Sequence, residues 1–353
     1  MPVEINSSAL AALRQQRQCL VRPAASPAEY EPLFRAMQPV APVWASCPGD
    51  APKLVHRAAF DDQEHNFDLR AERLIVKGRF QGGKVGYVFL DELALYAAAY
   101  RSASPLGPKE LVLADLLRNE GPMTVQQMKE STGLLVKEIT PALHKLQGAF
   151  LVYEDQVDND WERGFYLLEN EFPQVKLGDF YREEAMEQLA RRVLKMNGFA
   201  TAENIKDFTE WSKKDVDRTL AALAERGELV WGVYEGELGF LLKEDAGALE
   251  TAGEPERQVL LLHRFDFLVK SHERFLKRRF PVENPLQYLW VDGAFGGVLT
   301  GRWKQGPHEL HGIALAMEAA EMAVRREEIC TAIHKVYGHF KEKSVEWSLI
   351  AKV

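Results

Sequence analysis

The stretch Gly121–Gly148, GPMTVQQMKESTGLLVKEITPALHKLQG, recurs 77 residues later as Gly198–Glu225, GFATAENIKDFTEWSKKDVDRTLAALAE. In that register Gly121 falls on Gly198, Thr124 on Thr201, Met128 on Ile205 and Lys129 on Lys206. Thr132 falls on Thr209, Lys137 on Lys214, Leu143 on Leu220 and Leu146 on Leu223. Self-similarity at one fixed offset marks a repeated supersecondary unit. Each copy opens with a helix (Lys109–Asn119; Glu183–Met196), then a turn, a threonine-capped short helix, a second turn and a longer helix (Val136–Gln147; Lys213–Arg226). Each closes with a strand pair, Ala149–Glu154 with Gly164–Glu169 in the first and Glu228–Tyr234 with Leu238–Lys243 in the second. That is the order of a winged helix-turn-helix.

Upstream, apolar spacing predicts a helix over Ser8–Leu20 behind a serine cap and a second from Ser26-Pro27 to about Met37. Gln38-Pro39-Val40-Ala41-Pro42 stops it, because proline cannot continue a helix. Lys53–Phe60 is a short helix candidate, and Leu74–Phe80 with Lys84–Phe89 reads as a hairpin turned by Gly82-Gly83, so a third winged helix is expected here. A helix over Asp91–Tyr100 and a Ser/Pro/Gly linker over Ser102–Pro108 follow.

Downstream, AGALETAGEPE (246–256) reads as a linker into Val259–Trp303, where strand-forming runs at Val259–Leu262 and Tyr288–Val291 accompany turn residues Asp292-Gly293 and Gly296-Gly297. Between Arg257 and Arg279 seven Lys or Arg stand against Asp266 and Glu273. The expectation is a small β domain with a basic edge that would suit a phosphate backbone. Pro307–Ala323 and Arg325–Phe340 read as terminal helices. The fold class is therefore α+β: tandem winged helices, three of them, then a β domain and C-terminal helix, with boundaries at 1–101, 109–171, 183–244 and 257–353.

With 353 residues, 46% of them hydrophobic, the chain can bury a real core. A net charge of −8 argues against a protein coated in basic residues and leaves room for one basic groove. The recognition-helix positions are only mildly basic, and the wing EDQVDNDWERG (154–164) is acidic and would face away from DNA. Cys19, Cys47 and Cys330 form no CxxC pair, which suits a reducing cytosol. No run reaches the ~18 apolar residues of a membrane span, so a soluble, cytoplasmic monomer is expected. His308 and His311 lack a third ligand, and Gly82-Gly83-Lys84 lacks the Walker spacing; no metal and no cofactor are implied.

Three pieces resemble the tandem winged-helix family of bacterial DNA glycosylases that act on alkylated bases and interstrand crosslinks: HRFDFLVKSHERF (263–275), VDGAFGGVLTGRW (291–303) and VKGRFQGGKVGYVFLDELALY (76–96). The resemblance implies three winged helices closed by a small β-barrel, with double-stranded DNA in the concavity. It places the family's Gln-x-Gln or Gln-x-Asp catalytic motif at Gln38-Pro39-Val40, where the second polar residue is absent. It also points to Lys77, Arg79, Lys84, Arg264, His272, Arg274, Lys277, Arg278 and Arg279 as DNA contacts. Two functions follow: an N-glycosidic hydrolase in which Gln38 helps position water, or a non-catalytic winged-helix DNA binder or regulator. A carboxylate or amide beside Gln38 favours the first and burial of Gln38 among apolar residues the second. Restoring a second amide by Val40→Gln is expected to raise base excision.

Overall fold

The repeat is realised to the residue. In the computed structural model, which describes residues 2–42, 50–156, 163–303 and 309–350, the first copy comprises helices Pro108–Glu120, Val125–Thr132 and Val136–Gly148 with the hairpin Val152–Gln156/Arg163–Leu167. The offset of 77 carries its second and third helices exactly onto Ala202–Thr209 and Lys213–Glu225, which precede the hairpin Leu229–Tyr234/Glu237–Leu242. The threonines repeat because each closes a capping box. Thr124 Oγ1 accepts from Gln127 N and Gln127 Oε1 accepts from Thr124 N, and Thr201 and Asn204 do the same. Such caps contribute about 1 kcal/mol each. The repeated apolar positions, Met128 and Ile205, Leu143 and Leu220, Leu146 and Leu223, are all buried.

The chain forms two compact units, one of residues 1–37, 54–61 and 189–353, the other of 38–53 and 62–188. The second unit contains the first repeat and the antiparallel hairpin Ile75–Phe80/Lys84–Phe89, joined by a single 3-10 turn over Gln81–Gly83. The sequence places a helix over Lys53–Phe60; the helix is instead Asp62–Ala71. Within the first unit, residues 54–61 are held as irregular chain by a bridge between Ala24 and Ala58 and by the buried side chain of Arg57. The N-terminal helix is Ser7–Arg17, and its cap is Asn6, whose side chain accepts from Ala9 N, not a serine.

The β domain of the first unit is a five-stranded sheet in the order Glu346–Leu349, Glu309–Leu315, Ala294–Arg302, Pro285–Val291, Val259–His263. It is an open sheet; among the described residues no barrel closes. Strand alternation sorts its side chains onto two faces. Leu262, Tyr288, Trp290 and Val298 pack with Leu268 and Leu276 of the short helices Phe267–Ser271 and Glu273–Arg279. Leu261, Leu289, Val291 and Leu299 pack with Ile329 and Ile333 of the helix Ala319–Val336. The segment read as helix from Pro307 is thus largely a strand, because Ile313 and Leu315 alternate into the second face. Ala246–Thr251, read as linker, is a short helix that buries Leu249 against Leu10 and Leu13. No helix among the described residues is long and apolar enough to cross a membrane.

Asp292-Gly293 makes the tight turn expected of it, with φ of 49° and 96°. Gly296-Gly297 does not turn: both lie inside the strand, at a register shift. Gly293 is doubly constrained, since a Cβ there would lie 2.3 Å from Ala11 Cβ. Gly293→Ala should therefore lower stability by about 2–4 kcal/mol, from left-handed strain plus overpacking, read as a drop in the denaturant midpoint.

Candidate active site and nucleic-acid interface

Directly after the helix Pro27–Met37, the chain lies along the strand Lys84–Phe89. Val40 N donates to Tyr87 O at 3.0 Å and Tyr87 N donates back to Val40 O at 2.9 Å. Gly86 makes room for this approach, because a Cβ there would stand 2.8 Å from Pro39 Cβ. The pairing fixes Gln38, which is 2% exposed. Its Oε1 accepts from Phe89 N at 2.9 Å, its carbonyl accepts from Tyr96 OH at 2.9 Å, and its Nε2 donates to the carboxylate of Glu92. Glu92 is only half-buried and stands immediately before the helix Leu93–Tyr100.

The polar partner of Gln38 therefore comes from Glu92, not from position 40. Val40 is 6% exposed and serves as a main-chain bridge. A carboxylate oriented by a fixed amide is a chemically stronger arrangement for accepting a proton from water than two amides would be, since only the carboxylate is a base. Of the two conditions set by the sequence the first is met, since a carboxylate lies beside Gln38; Gln38 is also buried, but with polar partners rather than among apolar residues alone.

In the same unit the cations Lys77 and Arg79 turn inward. Glu154, 2% exposed, receives Lys77 Nζ at 3.1 Å, Arg163 Nη1 at 3.3 Å and Arg79 Nη2 at 3.7 Å. Arg79 also donates to Gln147 Oε1 and Gly83 O, and Lys77 to Gln156 Oε1. Burial by itself would raise the Glu154 carboxyl, but the three cations outweigh it and bring it down to about 2. Burial lowers the Lys77 ammonium, and its single shared carboxylate offsets this only in part. The difference follows from number: three cations serve one anion. Lys77 is thus buried and Arg79 half-buried, whereas Lys84 is exposed. Glu154, the first residue of the acidic wing, is core; residues 157–162 of that wing lie outside the described residues.

In the first unit the motif residues act as joints. Asp266 caps the helix Phe267–Ser271, accepting from Leu268 N at 2.9 Å, and receives both Arg57 Nη1 at 2.5 Å and Nη2 at 3.1 Å. Ser271 O accepts from Asn204 Nδ2, and Asp207 accepts Arg274 N at 2.8 Å and pairs with its guanidinium at 3.3 Å. Burial, set against Arg274, raises the Asp207 carboxyl to about 6. His272 is buried, with Nδ1 2.8 Å from Leu268 O, and burial followed by the charge of Arg14 lowers it to about 3. It is neutral at physiological pH and does not supply positive charge to a phosphate.

The basic edge is largely compensated. Lys277 pairs with Glu273 and Arg278 with Glu203, both at 2.7 Å. Arg264 is exposed, lies 4.2 Å over the Trp303 ring, and among the described residues has no carboxylate partner. Arg279 likewise pairs with no carboxylate among them. Trp303 is half-exposed beneath Arg264. His308 lies outside the described residues. Sequence reasoning missed Glu92, Arg57, Asn204 and Asp207; the one signal available was that Glu92 sits in the stretch 76–96, just where a hairpin runs into a helix.

The family model of AlkZ-like DNA glycosylases matches residues 158–327. Streptomyces sahachiroi DNA glycosylase AlkZ shares the fold with a TM-score of 0.67 at 16% identity, over 99% of this chain and 100% of that one. No curated protein matches by sequence.

Two outcomes follow from the geometry. The depressed Glu154 carboxyl supplies up to about 3 kcal/mol of stability that is fully present above pH 4.5 and is lost as pH falls toward 2. Denaturant unfolding at pH 5 and pH 3 should show that loss, and Glu154→Gln should be less stable at pH 5 and flatter with pH. Gln38→Ala, which strands the buried Phe89 N–H, should cost about 1–3 kcal/mol. Val40→Gln should cost a similar ~1–3 kcal/mol by burying an amide, measured by the same unfolding midpoints.

Proposed function

We propose that this chain is an AlkZ-like DNA glycosylase that hydrolyses the N-glycosidic bond of alkylated bases in double-stranded DNA, crosslinked bases included, with Gln38 and Glu92 holding the water. The observation that carries this reading is the hydrogen bond from the Gln38 amide to the half-exposed Glu92 carboxylate. Glu92 accepts a proton from water as its oxygen attacks the sugar carbon, and the bond to the base nitrogen breaks with its electron pair leaving on the base. An N7-alkylated purine is already cationic, so the departing base requires no strong acid. Gln38 is a positioning residue: fixed by Phe89 N, it holds the carboxylate in one orientation.

The same reading gives the two 77-residue repeats and the N-terminal hairpin segment as three winged helices, bounded at 1–101, 109–171 and 183–244. The five-stranded sheet of 257–353 stands as the barrel-like domain of the family. Lys84, Arg264, Arg274, Lys277, Arg278 and Arg279 are its phosphate contacts, led by Arg264 and Arg279 because they have no carboxylate to give up. The protein acts as a cytoplasmic monomer without a cofactor. A second reading, a non-catalytic DNA binder, is favoured by one fact: the Gln38 side chain is 2% exposed and engaged at both ends by the protein.

Single-turnover incubation with duplexes containing N7-methylguanine or an interstrand crosslink, scoring abasic sites, separates the two. Glu92→Gln should slow excision by about 100-fold or more, as loss of a general base does, and Gln38→Ala by about 10- to 100-fold. Wild-type excision at the no-enzyme background on both substrates would leave the binding protein as the function.

A further inference from the structure

The helices Ala202–Thr209 and Glu273–Arg279 meet through carboxylates on and just after the first and cations around the second. Glu203 pairs with Arg278, Glu210 with Lys270 and Asp207 with Arg274, while Glu273 holds Lys270 and Lys277. Glu203, Glu210 and Glu273 are each about a third exposed, so water shares their charge. Asp207 is buried, with 3% of its side chain exposed. Among the described residues the other buried carboxylates of this unit are met more than once. Asp266 receives both Arg57 Nη1 and Nη2, and Asp245 receives Arg17 Nη1, Arg17 Nη2 and Lys195 Nζ. Asp207 has one cationic contact, Arg274 Nη1 at 3.3 Å from Oδ1, and that side chain is 40% exposed. A partner standing in water attracts weakly, whereas the desolvation of the buried carboxylate is undiminished.

The two oxygens of Asp207 have separate tasks. Oδ2 accepts from the main-chain N–H of Arg274 at 2.8 Å and docks the second repeat, whereas Oδ1 holds the guanidinium. Glu203 on the same helix and Glu273 on the facing one add like charge, and Arg278 is itself drawn to Glu203 and to Glu237 of the hairpin. Burial, helped by the two glutamates and opposed by Arg274, holds the carboxyl at about 6. We propose that Asp207 is a proton-operated latch on Arg274: a proton on Oδ1 releases the guanidinium to solvent, while the bond at Oδ2 keeps the second repeat docked. A neutral carboxyl still accepts at its carbonyl oxygen, so the main-chain bond survives the proton. The ion pair does not, because its anion is gone. The bond from Asn204 to Ser271 O and the Phe208 ring against Phe267, 4.6 Å apart, involve no titrating group and hold the joint through the change. Because the folded carboxyl titrates above its unfolded value of 3.8, the proton stabilises the fold: the contribution is full below pH 3.8 and is lost as pH rises through 6. Release leaves the surface with one more positive charge. In the glycosylase reading that charge goes to a DNA phosphate, and binding then draws a proton from solution; this consequence alone rests on that reading.

The test uses full-length protein with ¹³C-labelled aspartate and ¹⁵N-labelled arginine, the two signals being assigned by their loss in Asp207→Asn and Arg274→Gln. From pH 7.5 to 5 the Asp207 carboxyl carbon should titrate with a midpoint of about 6, and with a higher one in Arg274→Gln. Over the same range the two Arg274 Nη signals, kept apart while the ion pair hinders rotation of the guanidinium, should merge. In Asp207→Asn they should be merged throughout. The Arg274 main-chain N–H should stay protected from exchange. Denaturant midpoints supply a second reading, since Asp207→Asn should gain on the wild type as pH rises from 5 to 8. An Asp207 carbon silent above pH 5, Nη signals that do not follow it, or main-chain protection lost together with the ion pair overturns the latch. Calorimetry of duplex binding at pH 7, in two buffers of different ionisation enthalpy, tests the DNA step: the wild type should take up more protons per complex than Asp207→Asn. Equal uptake overturns that step, whatever the abasic-site assay reports on excision. A protein that binds no duplex sinks the glycosylase reading and the DNA step together, while the latch is still judged by its own resonances.

Discussion

The first unit depends on one ion pair taken entirely out of water. Arg57, with no exposed surface, meets Asp266 in a two-pronged contact while its Nη2 also donates to Gln18 Oε1. Three distant stretches of chain are thus fixed at one point: the end of the N-terminal helix, the irregular segment 54–61 and the start of the Phe267–Ser271 helix. Burying two charges is unfavourable unless geometry and further hydrogen bonds repay the desolvation, and removing one partner of such a pair typically costs about 3–5 kcal/mol. What the pair contributes is a unique arrangement. No apolar contact would specify which turn of chain lies over Asp266, and the second repeat, docked through Asn204 to Ser271 and Asp207 to Arg274, inherits that position.

The second unit solves an equivalent problem with Glu154. Lys77 and Arg79 come from one hairpin, Glu154 and Arg163 from another, and their convergence locks the two hairpins together while the Gln38 segment adds to the edge of the first. The rigidity matters to chemistry. In the proposed reaction the amide that orients the carboxylate is useful only if it cannot rotate, and Gln38 is fixed by a main-chain donor, a tyrosine hydroxyl and a paired neighbour at Val40. The valine that looks like a lost catalytic residue is part of that fixation.

Charge that looks available in the sequence is mostly spent inside the protein, which changes how DNA recognition is to be understood. Of the cations between Arg257 and Arg279, Arg257, Lys270, Arg274, Lys277 and Arg278 all face carboxylates. The pairs of Arg257, Lys277 and Arg278 are largely exposed and worth little to stability, whereas Lys270 and the Asp207 partner of Arg274 are buried and His272 is uncharged. Arg264 over Trp303 and Arg279 beside Phe280 are left without a carboxylate partner among the described residues.

The repeat, its caps, its buried positions and the Asp292-Gly293 turn were legible because each is a local property: a threonine caps the residues next to it, and leucines three and four apart share a face whatever lies opposite. The α+β class follows from the same local periods. The terminal strand Glu309–Leu315 was not legible, since alternation in ELHGIAL acquires meaning only against the neighbouring strand Ala294–Arg302. Charges were misleading for the same reason: Lys77 and Glu154 read as surface in the sequence, and only the meeting of two hairpins buries them, with Arg79 half-buried beside them. At the candidate site the sequence supplied Gln38 and reported its partner missing. The partner is Glu92, 54 residues away, and only the tertiary fold brings it there, because the hairpin Ile75–Phe80/Lys84–Phe89 turns the start of the next helix back onto Gln38.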